Sequence, residues 1–496
     1  MEGEISDRKK WLPFTHLYEL KKIVPLGMIL FIFIFNFHCL KNIKDTLVVT
    51  GIGAEALPFI KLFFMPLAAL LAVFVYTKAS DIWGQQTFFC MMVGTFLLFF
   101  GIFALWLYPH RDWLHPDPEM IQRWQEMYPL LRWPLGLLGQ WIYILFLVFS
   151  ELWGGILLLF FWQFANQTTS MMEAKRLYPL LSLVGQSSVI FSGFFGWKAS
   201  DTLGKVPLGQ DPWYASLCTI TSLVLALGLV AIGCFYWFYR YVLVDMRLYN
   251  KSYAPGALNP RRPRMGLWKS LKLAVASRHI GMIALLVLCC EISIVLIEGL
   301  WKDQIRYLCT GENAYNTFKN GYTIWMGVGS ILTLVASGYI HRRFQWQVGA
   351  LVTPFLLIIG GGAFFACLLW NNGGQNPCSV HTVVWLGVAV LVVVKSSKIA
   401  FFDLTKEMAY IPLDEDKKVK GKAVVDVFGG RISESLGAGI QVFLLMAATC
   451  YLGESATYKH IAPYCLAIFL LISGLWIFAV RHLSRSMRGK ENKRDC

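Results

Sequence analysis

The chain has 496 residues, of which 56% are hydrophobic, 15% aromatic and only 15% charged, and its mean hydropathy is +0.53. Soluble domains carry about a quarter charged residues, so a soluble enzyme or regulator of this length is excluded. The formal net charge of +15 reads first as a topology signal and second as attraction for an anion.

The start, MEGEISDRKKWLPFTHLYELKK, is polar and amphipathic. It lacks the short apolar core and small-residue cleavage site of a signal peptide. Twelve apolar stretches follow, near the roughly 20 residues that a helix needs to span hydrocarbon. In the first half they fall at about 24–49, 58–79, 86–109, 138–166, 174–197 and 213–240. In the second half they fall at about 279–308, 318–340, 347–369, 381–403, 423–451 and 460–480. The expected division is an N-terminal segment 1–23, a six-helix bundle 24–240, a basic linker 241–278, a second bundle 279–480 and a basic tail 481–496.

Orientation follows from lysine and arginine. The N-terminus, the linker, the KKVKGK loop and the tail hold most of the basic residues. With an even number of spans they share one side, which should be cytoplasmic. The loop PHRDWLHPDPEMIQRWQEMYPLLRW then lies outside despite Arg111, Arg123 and Arg132. The expected fold is an all-α membrane protein of two six-helix halves. That is the plan of the major facilitator superfamily, whose halves rock around a midplane site.

Ionisable side chains inside apolar spans are expensive and mark function by default. Lys61 sits near the start of the second span, in LPFIKLFFMPL, where snorkelling to the headgroups is the competing role. Glu151 lies inside the fourth, in FLVFSELWGGILL. Glu291 and Glu298 are seven residues apart in CCEISIVLIEGLWK and so project from one helical face. The bland role for these acids is a protonated carboxyl bonded to a neighbouring helix. Asn36, Asn166 and Gln186 add neutral hydrogen-bonding groups, each a helix–helix contact if not a ligand contact.

The densest stretch is VVVKSSKIAFFDLTKEMAYIPLDEDKKVKGKAVVDVFGGRISESLGAG, from Val392 to Gly439. Lys395 and Lys398 close one apolar run, and Asp426, Arg431 and Glu434 open the next. Snorkelling is the competing role for the lysines and fits Arg431 and Glu434 poorly, because these are expected two to three turns into their span. Cations and carboxylates from both halves describe a wet central cavity for a multiply charged anion.

The twelve cysteines show no CxxC pair and no metal-type spacing, and read as small core residues. Cys309 and Cys378 fall in two loops on one face, which leaves a bridge between them open. There is no GxxxxGK[ST], HExxH or nucleophile elbow, so ATP hydrolysis and these catalytic chemistries are unsupported.

KDTLVVT (44–50), GAEALPFIKL (53–62), SELWG (150–154), FWQFANQ (161–167), EAKRLYPL (173–180) and DLTKEMAYIPLDEDKKVKGKA (403–423) resemble the nucleotide transporter family. These are the ATP/ADP translocases of plastids and obligate intracellular bacteria, of the chlamydial and rickettsial kind. The resemblance implies a major-facilitator-type carrier that exchanges ATP for ADP plus phosphate, or imports nucleoside triphosphates with protons. Plant members carry a transit peptide, and none precedes this chain, so the expected location is a bacterial inner membrane with both termini cytoplasmic. The family's charged positions fall on Lys61, Glu151 and Glu298. A fourth is a lysine in a GKSGG-like stretch, and here RISESLG places Glu434 at that point. The usual GAN of the fifth span reads VGQ, with Gln186 at the asparagine, and Glu291 is an additional acid.

Lys61 is therefore expected to meet a triphosphate across the cavity from Lys395, Lys398 or Arg431. Gln186 and Asn166 would address the base, with Phe402 as a stacking plane. Glu434, Glu291 and Glu298 would carry protons, which leans the reading towards proton-coupled net import over ATP/ADP exchange. Glu434 has a simpler alternative role as the ion-pair partner of Arg431. A membrane enzyme acting on nucleotide or lipid phosphates is the remaining alternative. The expected partners are nucleotide cargo and membrane lipid, with no nucleic acid, no cofactor or metal, and a monomeric state.

Overall fold

The computed structural model describes residues 20–169, 171–204, 211–244, 278–343, 346–371, 379–410, 425, 429–452 and 456–491. The start of the chain, most of the linker, the KKVKGK loop, Asp426 and Cys378 lie outside the described residues, and with them any Cys309–Cys378 bridge. The described residues contain no strand. They form twelve helices long and apolar enough to cross a membrane. In hydrocarbon an apolar segment can satisfy its backbone only by bonding within itself, which makes each of these runs a helix.

The first half comprises α1 (Leu20–Gly51), α2 (Ala56–Tyr76), α3 (Gln85–Leu107), α4 (Trp141–Thr168), α5 (Arg176–Leu203) and α6 (Pro212–Tyr241). The second comprises α7 (Arg278–Leu308), α8 (Glu312–Tyr339), α9 (Trp346–Asn371), α10 (Val380–Ala409), α11 (Gly430–Leu452) and α12 (Tyr458–Ser486). One boundary corrects the expected one and matters for function. Helix α8 begins at Glu312, which takes Asn316 into the helix.

Three spans contain a π-helical turn beside a charged residue. These are Ile60–Phe64 in α2, Trp153–Leu157 in α4 and Lys398–Phe402 in α10. One of them holds Lys61, one follows Glu151 by two residues, and one begins at Lys398. In α2 the cause is visible, because the ring of Pro66 would clash with the carbonyl of Leu62 in a regular helix. Such turns insert an extra residue and re-aim the side chains around them.

The halves meet most extensively along α5 and α8. Small residues permit it. A Cβ on Gly193 would lie 2.8 Å from the Asn320 carbonyl oxygen, and one on Gly196 only 2.2 Å from Asn320 Oδ1. Asn320 in turn accepts a hydrogen bond from Asn42 of α1 at 2.8 Å. Gly196→Ala is therefore expected to push Asn320 off Asn42, at about 1–3 kcal/mol for overpacking. A lowered melting temperature of the detergent-solubilised protein would register it; an unchanged one would show that the seam yields.

The loop between α3 and α4 folds into short helices, including Pro118–Met127, capped by Asp117. Gln140 and Trp141, at its far end, bond back to the carbonyls of Gly51 and Leu114. It forms a cap over the Gly51 end of α1.

Candidate functional site

Helix α1 carries a polar stripe through an otherwise apolar sequence: His38, Lys41, Asn42 and Asp45, at i, i+3, i+4 and i+7. These positions share one helical face. Helix α8 presents the same spacing with Asn316, Lys319, Asn320 and Thr323. The two stripes face each other across the halves. Asn42 Nδ2 donates to Asn320 Oδ1 at 2.8 Å and to Thr323 Oγ1 at 3.0 Å, while Thr46 donates to Asn316 at 3.2 Å. Asp45, with no exposed surface, lies 3.2 Å from Lys319 and 3.0 Å from Lys302 of α7.

From this seal, ion pairs run in both directions. In the first half Lys44 stands between Asp45 Oδ1, at 3.8 Å, and Glu151 Oε1 of α4, with which it makes a short hydrogen bond. The other oxygen of Glu151 is 3.6 Å from Arg431 of α11, which crosses back to the second half. Arg431 can lie there because Gly155 offers no side chain; a Cβ on it would be 3.1 Å from Nη2. In the second half Lys302 also lies 3.3 Å from Glu298 Oε1, and Lys395 of α10 is 2.8 Å from Glu298 Oε2. One turn further along α10, Lys398 pairs with Glu291 of α7. Each of Glu151, Asp45 and Glu298 thus gives its two oxygens to different cations.

Most of the charged residues expected from the sequence belong to this arrangement, each in a definite place. Lys395, Lys398 and Arg431 are matched with Glu298, Glu291 and Glu151 respectively. Glu434 lies 3.8 Å from Arg431, three residues earlier on the helix. Lys61 is half-buried in the π-turn of α2 and pairs with no carboxylate among the described residues. It lies within electrostatic range of Glu151 and Glu298, one from each half. Lys41 is placed similarly. Ser435 of α11 donates to the carbonyl of Lys61 at 3.2 Å, so α2 is held at this point by the opposite half.

The expected base-recognition set is not brought together. Phe402 is buried with its ring edge-on to Trp476 at 5.5 Å, so the core of the second half occupies it and no free face remains for stacking. Asn166 lies fifteen residues beyond Glu151 on α4, about 22 Å along the axis, and accepts a 2.5 Å hydrogen bond from Tyr178. Gln186 is half-buried on α5, where its backbone carbonyl abuts Gly327 of α8. Asn36 is a helix–helix contact, donating to the Val224 carbonyl of α6 at 3.0 Å.

Sequence reasoning missed His38, Lys41, Lys44, Asp45, Lys302 and Lys319 as site residues. The signal was present in the polar stripe at helical spacing in α1 and its counterpart in α8. At the far end a second contact joins the halves, where the backbone N–H of Tyr458 donates to Glu55 at 3.4 Å. Burial pushes the Glu55 carboxyl above the ordinary carboxylate range, against the pull of that N–H and of Arg306 and Arg132.

Two six-helix halves sealed by polar contacts at one end, with charge-lined helices between them, define a carrier of the major facilitator type. Solved structures with this fold include a bacterial homologue of the iron transporter ferroportin in an inward-facing state (TM-score 0.59, 11% identity, covering 94% of this chain and 99% of that one). Another is the inward-open xylose transporter XylE from E. coli (TM-score 0.52, 10% identity, 94% and 95%). The model of the TLC ATP/ADP transporter family matches residues 3–487, and the chain belongs to that family. It is 36% identical to ADP,ATP carrier protein 1 of Chlamydia pneumoniae, over 95% of this chain and 92% of that protein. It is 34% identical to ADP,ATP carrier protein 1 of Rickettsia conorii, over 100% and 99%.

Proposed function

We propose that this protein exchanges ATP for ADP across a bacterial inner membrane by alternating access, with both termini cytoplasmic. Exchange replaces the proton-coupled import towards which the sequence leaned. The observation that carries the change is the pairing of every acid nominated for proton coupling. Glu298 sits beside Lys395 and Lys302, Glu291 beside Lys398, and Glu434 near Arg431. An ion pair is charge-matched as it stands and needs no proton to cross a low-dielectric region. The names of the relatives support the same reading.

The cargo's phosphates would engage Lys61 and Lys41, which have no carboxylate partner among the described residues, together with Lys395 and Arg431 at the exposed ends of the ladder. Labelled ATP should enter liposomes loaded with ADP at least tenfold faster than liposomes without nucleotide, and a protonophore should leave the rate unchanged. Uptake into empty liposomes that a protonophore abolishes would restore the proton-coupled reading.

A further inference from the structure

We propose that Asp45, which lies outside the expected cargo contacts, couples cargo binding to the opening of the seal between the halves. The proposal rests on the exchange reading above and assigns a residue that enforces it. The ladder runs Arg431–Glu151–Lys44–Asp45–Lys302–Glu298–Lys395 and crosses between the halves twice. Side-chain exposure falls from each end towards the centre: 45%, 17% and 3% for Arg431, Glu151 and Lys44 on one side, and 15%, 12% and 4% for Lys395, Glu298 and Lys302 on the other. Its centre, Asp45, is 0% exposed and clamps Lys302 and Lys319 of the second half.

An arriving polyphosphate competes with Glu151 for Arg431 and with Glu298 for Lys395. Both carboxylates keep a second cation, and in each case Asp45 needs that same cation: Lys44 for Glu151, Lys302 for Glu298. Removing the outer partner strengthens the pull of Glu151 on Lys44 and of Glu298 on Lys302. The shift of Lys302 towards Glu298 takes from Asp45 one of the two cations that hold it across the seal, and Lys319 alone remains. With the end cations engaged only by protein carboxylates, nothing draws Lys44 and Lys302 away, and the seal holds. Cargo occupancy thereby becomes a condition for reorientation, and Asp45 is the positioning residue that imposes it.

Asp45→Asn alone leaves Lys302 and Lys319 facing a neutral group, so the test uses two variants. Asp45→Asn/Lys319→Gln removes one charge of each sign from the seal and preserves its balance, and Lys319→Gln alone keeps Asp45. Each full-length variant is reconstituted beside the parent. In Asp45→Asn/Lys319→Gln, uptake of labelled ATP into liposomes without nucleotide should rise at least tenfold relative to exchange, with ATP affinity within threefold of the parent. Lys319→Gln should retain its dependence on internal ADP.

A second readout is oxidative crosslinking in a Thr46→Cys/Asn316→Cys background, whose positions touch across the seal. ATP should reduce the 46–316 crosslink at least fivefold in the parent. In Asp45→Asn/Lys319→Gln the crosslink should be low with or without ATP. If that variant binds ATP, still requires internal ADP and still crosslinks without ATP, Asp45 has no coupling role. If the parent itself takes up ATP without internal nucleotide, the exchange reading fails instead, and the two failures are distinct.

Discussion

Lys61→Ala should weaken ATP binding about a hundredfold while leaving thermal stability unchanged. Truncating one partner of a buried charged contact costs about 2–5 kcal/mol, and a hundredfold corresponds to about 2.7 kcal/mol. The prediction separates function from folding because Lys61 pairs with no carboxylate among the described residues. Its removal therefore leaves no stranded partner. The π-turn Ile60–Phe64 holds it on α2, and Ser435 of α11 ties that turn to the opposite half. Cargo on Lys61 would accordingly be felt by both halves. Lys61→Arg keeps the charge and should recover part of the affinity. Binding of a fluorescent ATP analogue to purified protein, alongside a melting curve, reads both quantities. If affinity holds in Lys61→Ala, the residue snorkels and does not bind phosphate.

Glu298→Gln should show the opposite pattern, losing exchange and stability together. Its two oxygens hold Lys395 at 2.8 Å and Lys302 at 3.3 Å, and Lys302 is almost fully buried. Removing one member of a buried pair costs about 3–5 kcal/mol, because the remaining charge is left uncompensated. Lys302 keeps Asp45 at 3.0 Å, whereas Lys395 has no second carboxylate within ion-pair distance among the described residues. Most of the loss should therefore trace to Lys395. Glu298→Gln combined with Lys395→Met removes the stranded charge and should return most of the melting temperature without restoring exchange. A double variant as unstable as Glu298→Gln alone would move the loss to Lys302. Recovery of exchange would show that the pair is structural and not part of the cargo path.

The sequence by itself determined the class of the protein, the number of spans and most of their boundaries to within a few residues. Those properties depend on local composition, because about 20 apolar residues form a spanning helix whatever their neighbours. It also located Lys61, Glu151, Glu298, Lys395, Lys398 and Arg431, since a charge is conspicuous in an apolar run. Only the tertiary structure decided which charge answers which. Glu151 is 280 residues from Arg431, and Lys395 is 97 from Glu298. Pairing over such separations depends on how helices pack, and spacing along one helix does not encode it. Phe402 illustrates the same limit: its position in α10 is legible, but its burial against Trp476 of α12 is not. Asp45 was legible only as one acid beside one lysine in KDTLVVT. Its place under Lys302 and Lys319 comes from the meeting of α1, α7 and α8, where three chain segments bring their charges into one dry space.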